Sequence, residues 1–169
     1  MKLLFFVLMS APIVLAQLSI SNPPSNKSAW DVSSANQAAI QQRGTEALTK
    51  EKARSKANLC VKAEKEGNRA IADCLVVEGK TTEQNYLAYI RAIGALLRRS
   101  APGSSAKNQR LPFDAAEDAW HTYREQSCRS MATQWEGGDQ AQVAYPDCLL
   151  KLTWNHMNEL ADLYADLWH

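Results

Sequence analysis

Four cysteines, three histidines and a cluster of carboxylates are the side chains here with types suited to chemistry. Cys60, Cys74, Cys128 and Cys148 contain no Cys-x-x-Cys, and His121, His156 and His169 fit no zinc pattern, so neither a metal nor a cofactor is expected. An even number of cysteines in a chain with an export signal reads as two disulfides. Of the three possible connectivities, Cys60–Cys74 with Cys128–Cys148 is favoured, because each pair brackets one short polar break between helical stretches. A bridge of this span contributes about 3 kcal/mol by the loop-entropy argument. Glu117, Asp118 and Glu125 could serve as acids or bases. They fall on the polar face of a helix and read as a solvated, locally paired surface. No Gly-rich phosphate loop, nucleophile elbow or His-Glu metal motif is present, and the chain reads as a non-enzyme. Tyr123-Arg124 reads either as a recognition pair or, preferred here, as a packed ring flanked by a snorkelling arginine. His121 and His156 are expected to be at the surface or half-buried, outside any mechanism.

The elements that position these residues are helical. From Phe113 to Trp135 the large residues fall at Phe113, Ala116, Trp120, Tyr123, Ser127, Met131 and Trp135, the period of one helix face. Asp114 and Glu117 have capping-box spacing, with Pro112 just ahead of the helix. Burial of this two-tryptophan face is the largest stabilising contribution the sequence suggests. Thr81 and Gln84 repeat the box spacing before a helix over 82–99, whose stripe is Tyr86, Tyr89, Ile90, Ile93, Leu96 and Leu97. Glu78-Gly79-Lys80 should separate it from a short segment over 68–77. Gly137-Gly138 should end the Phe113 helix. Pro146-Asp147 should prepare a last helix over 148–167, with Asp147 as N-cap. No stretch alternates long enough for a strand. The expected fold is all-α, a small antiparallel helical bundle with two disulfides.

The N terminus carries an address. Residues 1–16, MKLLFFVLMSAPIVLA, have an early lysine, a short apolar run and Val14-Leu15-Ala16 at the end, which predicts a signal peptide cut after Ala16. The run is too short for a comfortable membrane span of about 20 residues, so no membrane association is expected after cleavage. Residues 17–57 read as a leader, flexible through about 35 and then partly helical but mostly solvated, with Gly44 as an interruption. The helical domain is expected over 58–169. Residues 1–16 include Lys2 and no acid, so the remainder carries 18 basic and 18 acidic side chains. That balance argues against nucleic acid as a partner. A periplasmic or secreted location is expected.

The run Trp120-x-x-Tyr123-Arg124-x-x-x-Cys128 is followed by Gly137-Gly138, Cys148, Thr153 and Glu159-Leu160. It is preceded by a cysteine pair and by Asn85, Tyr86 and Tyr89. This constellation resembles the LprI-type lysozyme inhibitor family of small exported bacterial helical proteins, over about residues 58–164, with the second half the more specific part. The sequence departs from that family in three ways. It has no lipidation cysteine, Trp154 stands where an arginine usually follows the threonine, and residues 17–57 have no recognised counterpart. The resemblance implies a non-catalytic binding protein whose partner is a lysozyme or another peptidoglycan-cleaving hydrolase. It implies a mainly structural role for Trp120, Tyr123, Arg124 and Thr153.

One stretch suits partner binding on its composition. Residues 136–147 read as a Gly-rich loop anchored at both ends if Cys128–Cys148 closes, and a tethered loop loses less entropy on binding. Glu136 and Asp139 could meet a cationic protein surface, and Tyr145 could enter a cleft. The competing reading from a different class is a structural or interaction module of the cell envelope with no lysozyme target. An immunity protein against a peptidoglycan-degrading toxin lies between the two.

Overall fold

The computed structural model describes residues 36–100 and 111–169, and the expected signal peptide, residues 17–35 of the leader and residues 101–110 lie outside them. The described residues form α1 (Gln37–Arg54), α2 (Asn68–Ser100), α3 (Pro112–Thr133) and α4 (Ala141–Leu163). Short 3-10 turns occupy Ala63–Lys65 and Ala165–Trp168, and no strand occurs among the described residues. The chain is an all-α bundle. Helix α2 packs against both α1 and α4, and α3 packs against α4. Disulfides join Cys60 to Cys74 and Cys128 to Cys148, so the second staples the α3–α4 hairpin.

Helix α2 runs unbroken for 33 residues through Gly79, where a break was expected. Its buried positions continue from Ala72 and Leu75 through Thr82, Tyr86, Tyr89 and Ile93 to Leu96, one stripe on both sides of the glycine. A helical glycine costs only about 1 kcal/mol, and burial of that stripe outweighs it. Arg54 of α1 also holds the segment, bonding both the Glu78 carbonyl and its carboxylate, the latter at 2.8 Å. Thr81 and Gln84 therefore cap nothing.

The ends of α3 and α4 also differ from expectation. Pro112 is the first residue of α3, where its fixed φ suits a helix start. The Asp114 carboxylate accepts the Leu111 N–H at 3.2 Å. Glu117 takes no part in the cap. Helix α4 begins at Ala141 and contains Pro146, so Asp147 is no N-cap. The missing proline N–H falls in the first turns, and Gln142, whose carbonyl it would have used, is exposed. Only residues 134–140 connect the hairpin, turning at Gly137 with φ +84°.

The main core gathers Ala47, Tyr86, Tyr89, Ile93, Phe113, Met157 and Leu160. A second cluster of Cys60, Leu75 and Leu150 lies at the first disulfide. Tyr89 is fully buried and stacks on Trp168 with ring centroids 5.5 Å apart. Burial pushes its hydroxyl pKa up to about 12. The expected two-tryptophan face is buried only in part: Phe113 and the half-buried Trp120 pack on the core. Trp135 is 49% exposed and Tyr123 58% exposed, whereas Phe113, Glu117, Arg124 and Cys128 face inward. The inward face of α3 carries long polar side chains, which an apolar stripe cannot reveal. They bridge to α2 in three rungs. Arg98 pairs with Asp114, Tyr86 donates to Glu117 at 2.6 Å, and Arg124 donates to Glu83 at 2.7 Å.

Candidate functional site

Arg124 organises the middle of the bundle. It is 4% exposed, so it does not snorkel as expected. Its Nη1 donates to Glu83 at 2.7 Å and to Thr153 Oγ1 at 3.0 Å. Thr153 in turn donates to the Leu149 carbonyl, one turn back in α4, at 2.8 Å. Arg124 Nη2 lies 3.0 Å from His121 Nε2. Guanidinium only donates, so that imidazole nitrogen accepts. Nη2 also reaches Glu125 at 3.4 Å. One cation thereby joins three helices, the fixed fork serving two carboxylates and a hydroxyl together.

Trp120 covers the inner side of this arrangement. Its ring centroid lies 5.1 Å from the guanidinium carbon and 3.9 Å from the His156 ring, stacked within 11°. His156 Nε2 is 3.2 Å from both oxygens of Glu117, which also accepts from Tyr86. Glu117 was expected on a solvated face; it is buried, and Tyr86 and His156 compensate it. Burial, and the bond to Glu117 after it, push the Tyr86 hydroxyl far above the ordinary tyrosine range.

Tyr145 extends the network outward. Its hydroxyl donates to Glu125, and that bond, with the Arg124 charge behind it, holds the Glu125 carboxyl below the ordinary carboxylate range. The same bond raises the Tyr145 pKa. Tyr145 was expected in a loop but belongs to α4. It stands between two concavities. One is a groove of about 740 Å³ between α2, α3 and α4, with Arg124 and Thr153 in its lining. The other is more open and is lined by Arg129, Thr133 and Glu136. Glu136 and Asp139 sit exposed in the hairpin connection.

Of the residues read from the sequence, Trp120, Arg124 and Thr153 come together across α3 and α4. Tyr123 points away, because it is one position off the inward face. Glu51 and Glu117 are buried charges, which leave no periodic apolar trace, and with the half-buried Glu83 and His156 they complete the polar network. Among the described residues, no group of three or more His, Cys, Asp or Glu is placed to hold a metal, and no helix is long and apolar enough to cross a membrane. Glu83, Glu117 and Glu125 are each held by donors from neighbouring side chains.

Fold and site together define a disulfide-stapled helical bundle with charged residues buried in its interior. The family described as lysozyme inhibitor LprI matches residues 60–160, and the chain belongs to it. Comparison with curated proteins and with solved structures gives no match.

Proposed function

We propose that this chain is an exported, non-catalytic protein that binds a lysozyme or another peptidoglycan-cleaving hydrolase and blocks it by occlusion. Membership of the LprI lysozyme inhibitor family over residues 60–160 carries this reading. The N-terminal signal pattern supports export, with cleavage after Ala16. The α3–α4 connection is the surface we assign to the partner. Glu136 and Asp139 are exposed there, Tyr145 follows one turn into α4, and Cys128–Cys148 holds the base of the hairpin. A stapled connection of this kind is preorganised and loses little entropy on docking.

The test is clearing of a peptidoglycan suspension by several lysozyme types, with and without the exported chain. Inhibition saturating near one inhibitor per enzyme is the expected result. Alanine at Glu136, Asp139 and Tyr145 should weaken it at least tenfold, and unchanged potency would put the interface elsewhere. If a chain shown folded by circular dichroism inhibits no lysozyme, the envelope interaction module becomes the better reading.

A further inference from the structure

The groove between α2, α3 and α4 has a composition of its own. Its walls are Leu75 and Val76 from α2 and Pro146, Leu149 and Leu150 from α4. Val76 is 47% exposed, a large apolar side chain left facing solvent. Two permanent cations line the groove, Lys80 and Arg124, against one carboxylate, Glu83, with His121 beside them. Lys80 is exposed, and its ammonium has no ion-pair or hydrogen-bond partner among the described residues. Arg124 is almost wholly buried, yet its Nε–H has no hydrogen-bond partner. The volume of about 740 Å³ falls within the range usual for small-molecule sites.

Gly79 lines the same groove, in the interior of α2. Glycine weakens a helix interior, and a packing neighbour usually explains its presence. A Cβ at Gly79 would meet nothing within 4 Å. No contact inside the protein requires the glycine, which borders the groove without a side chain.

We infer that this groove is a binding site for a single-chain amphiphile, an acyl chain ending in a carboxylate. The chain would lie along the apolar walls and the head beside Lys80. Arg124 is matched by Glu83 and Glu125, so the ammonium of Lys80 is the charge left to favour an anionic head. The walls favour an acyl body over a peptide. Leu75, Val76, Pro146, Leu149 and Leu150 present side chains with no hydrogen-bonding atoms, and a peptide would leave its amides unpaired against them. The groove shares Tyr145 with the surface assigned above to a protein partner, whereas its apolar walls and Lys80 lie outside that surface.

Titration calorimetry of the full exported chain with dodecanoate, below its micelle concentration, tests this. Saturable binding of one dodecanoate per chain is expected. Dodecanol, which keeps the chain but not the charge, should bind at least tenfold more weakly. Lys80→Gln should weaken dodecanoate several-fold. Gly79→Leu projects a side chain into the groove at a position with free space, so it should keep the melting temperature at or above that of the parent while reducing binding at least tenfold. No binding of dodecanoate, equal binding of dodecanol, or full binding by a folded Gly79→Leu chain would each overturn the assignment. Binding of trialanine in preference to dodecanoate would overturn the acyl class.

Discussion

Trp154 Nε1 donates to Glu51 Oε2 at 2.7 Å, joining the first helix to the last across 103 residues. Glu51 is 1% exposed and also accepts from Thr82 at 2.7 Å and from Asn85 at 2.6 Å, with Arg54 Nε at 3.0 Å. A buried carboxylate is tolerated when its lone pairs are filled and a cation is near, and both conditions hold here. This residue lies before the family-matched region and fastens α1 onto it.

Glu51→Leu should therefore cost about 3–5 kcal/mol, because it leaves the Trp154 N–H, the Asn85 amide, the Thr82 hydroxyl and Arg54 without their shared acceptor. Urea unfolding followed by circular dichroism measures it. A loss under about 1 kcal/mol would mean that α1 is held by its apolar contacts alone.

Two glycines inside helices should respond to alanine with opposite signs. A Cβ at Gly44 would lie 2.5 and 2.7 Å from the Trp168 ring and 2.9 Å from the Ala92 Cβ. Gly44→Ala should therefore cost about 1–3 kcal/mol through overpacking. Gly79 has open space, so Gly79→Ala should gain up to about 1 kcal/mol from helix propensity. Melting temperatures of the two variants should bracket that of the parent. Two shifts of the same sign would contradict the packing described at one of the sites.

These glycines also show what the sequence discloses. Gly44 and Gly79 both read as interruptions, because local propensity sees only the cost of glycine and not the ring beside Gly44 or the apolar stripe running past Gly79. The all-helical class and the α3–α4 hairpin were legible because Tyr86, Tyr89, Ile93, Met157 and Leu160 keep helical period. The inward face of α3 was not. It is built from Glu117 and Arg124, and apolar periodicity therefore selected Tyr123 and Trp135 on the wrong side. At the candidate site, Arg124 and Thr153 could be singled out, but not their partner Glu83, which lies 41 residues before Arg124.

Arg124→Met should destabilise the chain by about 3–5 kcal/mol. It preserves stem volume but strands Glu83 and removes the donor to Thr153. Arg124→Lys should recover only part of this, since one ammonium cannot reproduce the fork that reaches Glu83, Thr153 and Glu125 together. Denaturant midpoints ordered parent, lysine, methionine are expected. A lysine variant as stable as the parent would show that the charge matters and the fork geometry does not.

The Tyr145–Glu125 bond should appear in the pH dependence of stability. Glu125 is held below its ordinary pKa, first by the Tyr145 hydroxyl and then by Arg124. A depressed carboxylate contributes stability that is present above its unfolded value, about 4.3, and is lost as pH falls through its folded value. Tyr145 is raised by the same bond, so its contribution is present below the ordinary tyrosine value of about 10 and is lost as pH rises through its higher folded value. Tyr145→Phe keeps the ring and deletes the bond. Its urea midpoint should lie below that of the parent by a constant amount between about pH 5 and 9, and the gap should close on acidification below about pH 4. Midpoints of parent and variant across pH 3–9 provide the check. Curves that stay parallel into acid would mean that the carboxylate owes its low pKa to Arg124 rather than to the tyrosine. In that case Tyr145 would be a ring on the surface of α4, free to reorient toward whatever docks there.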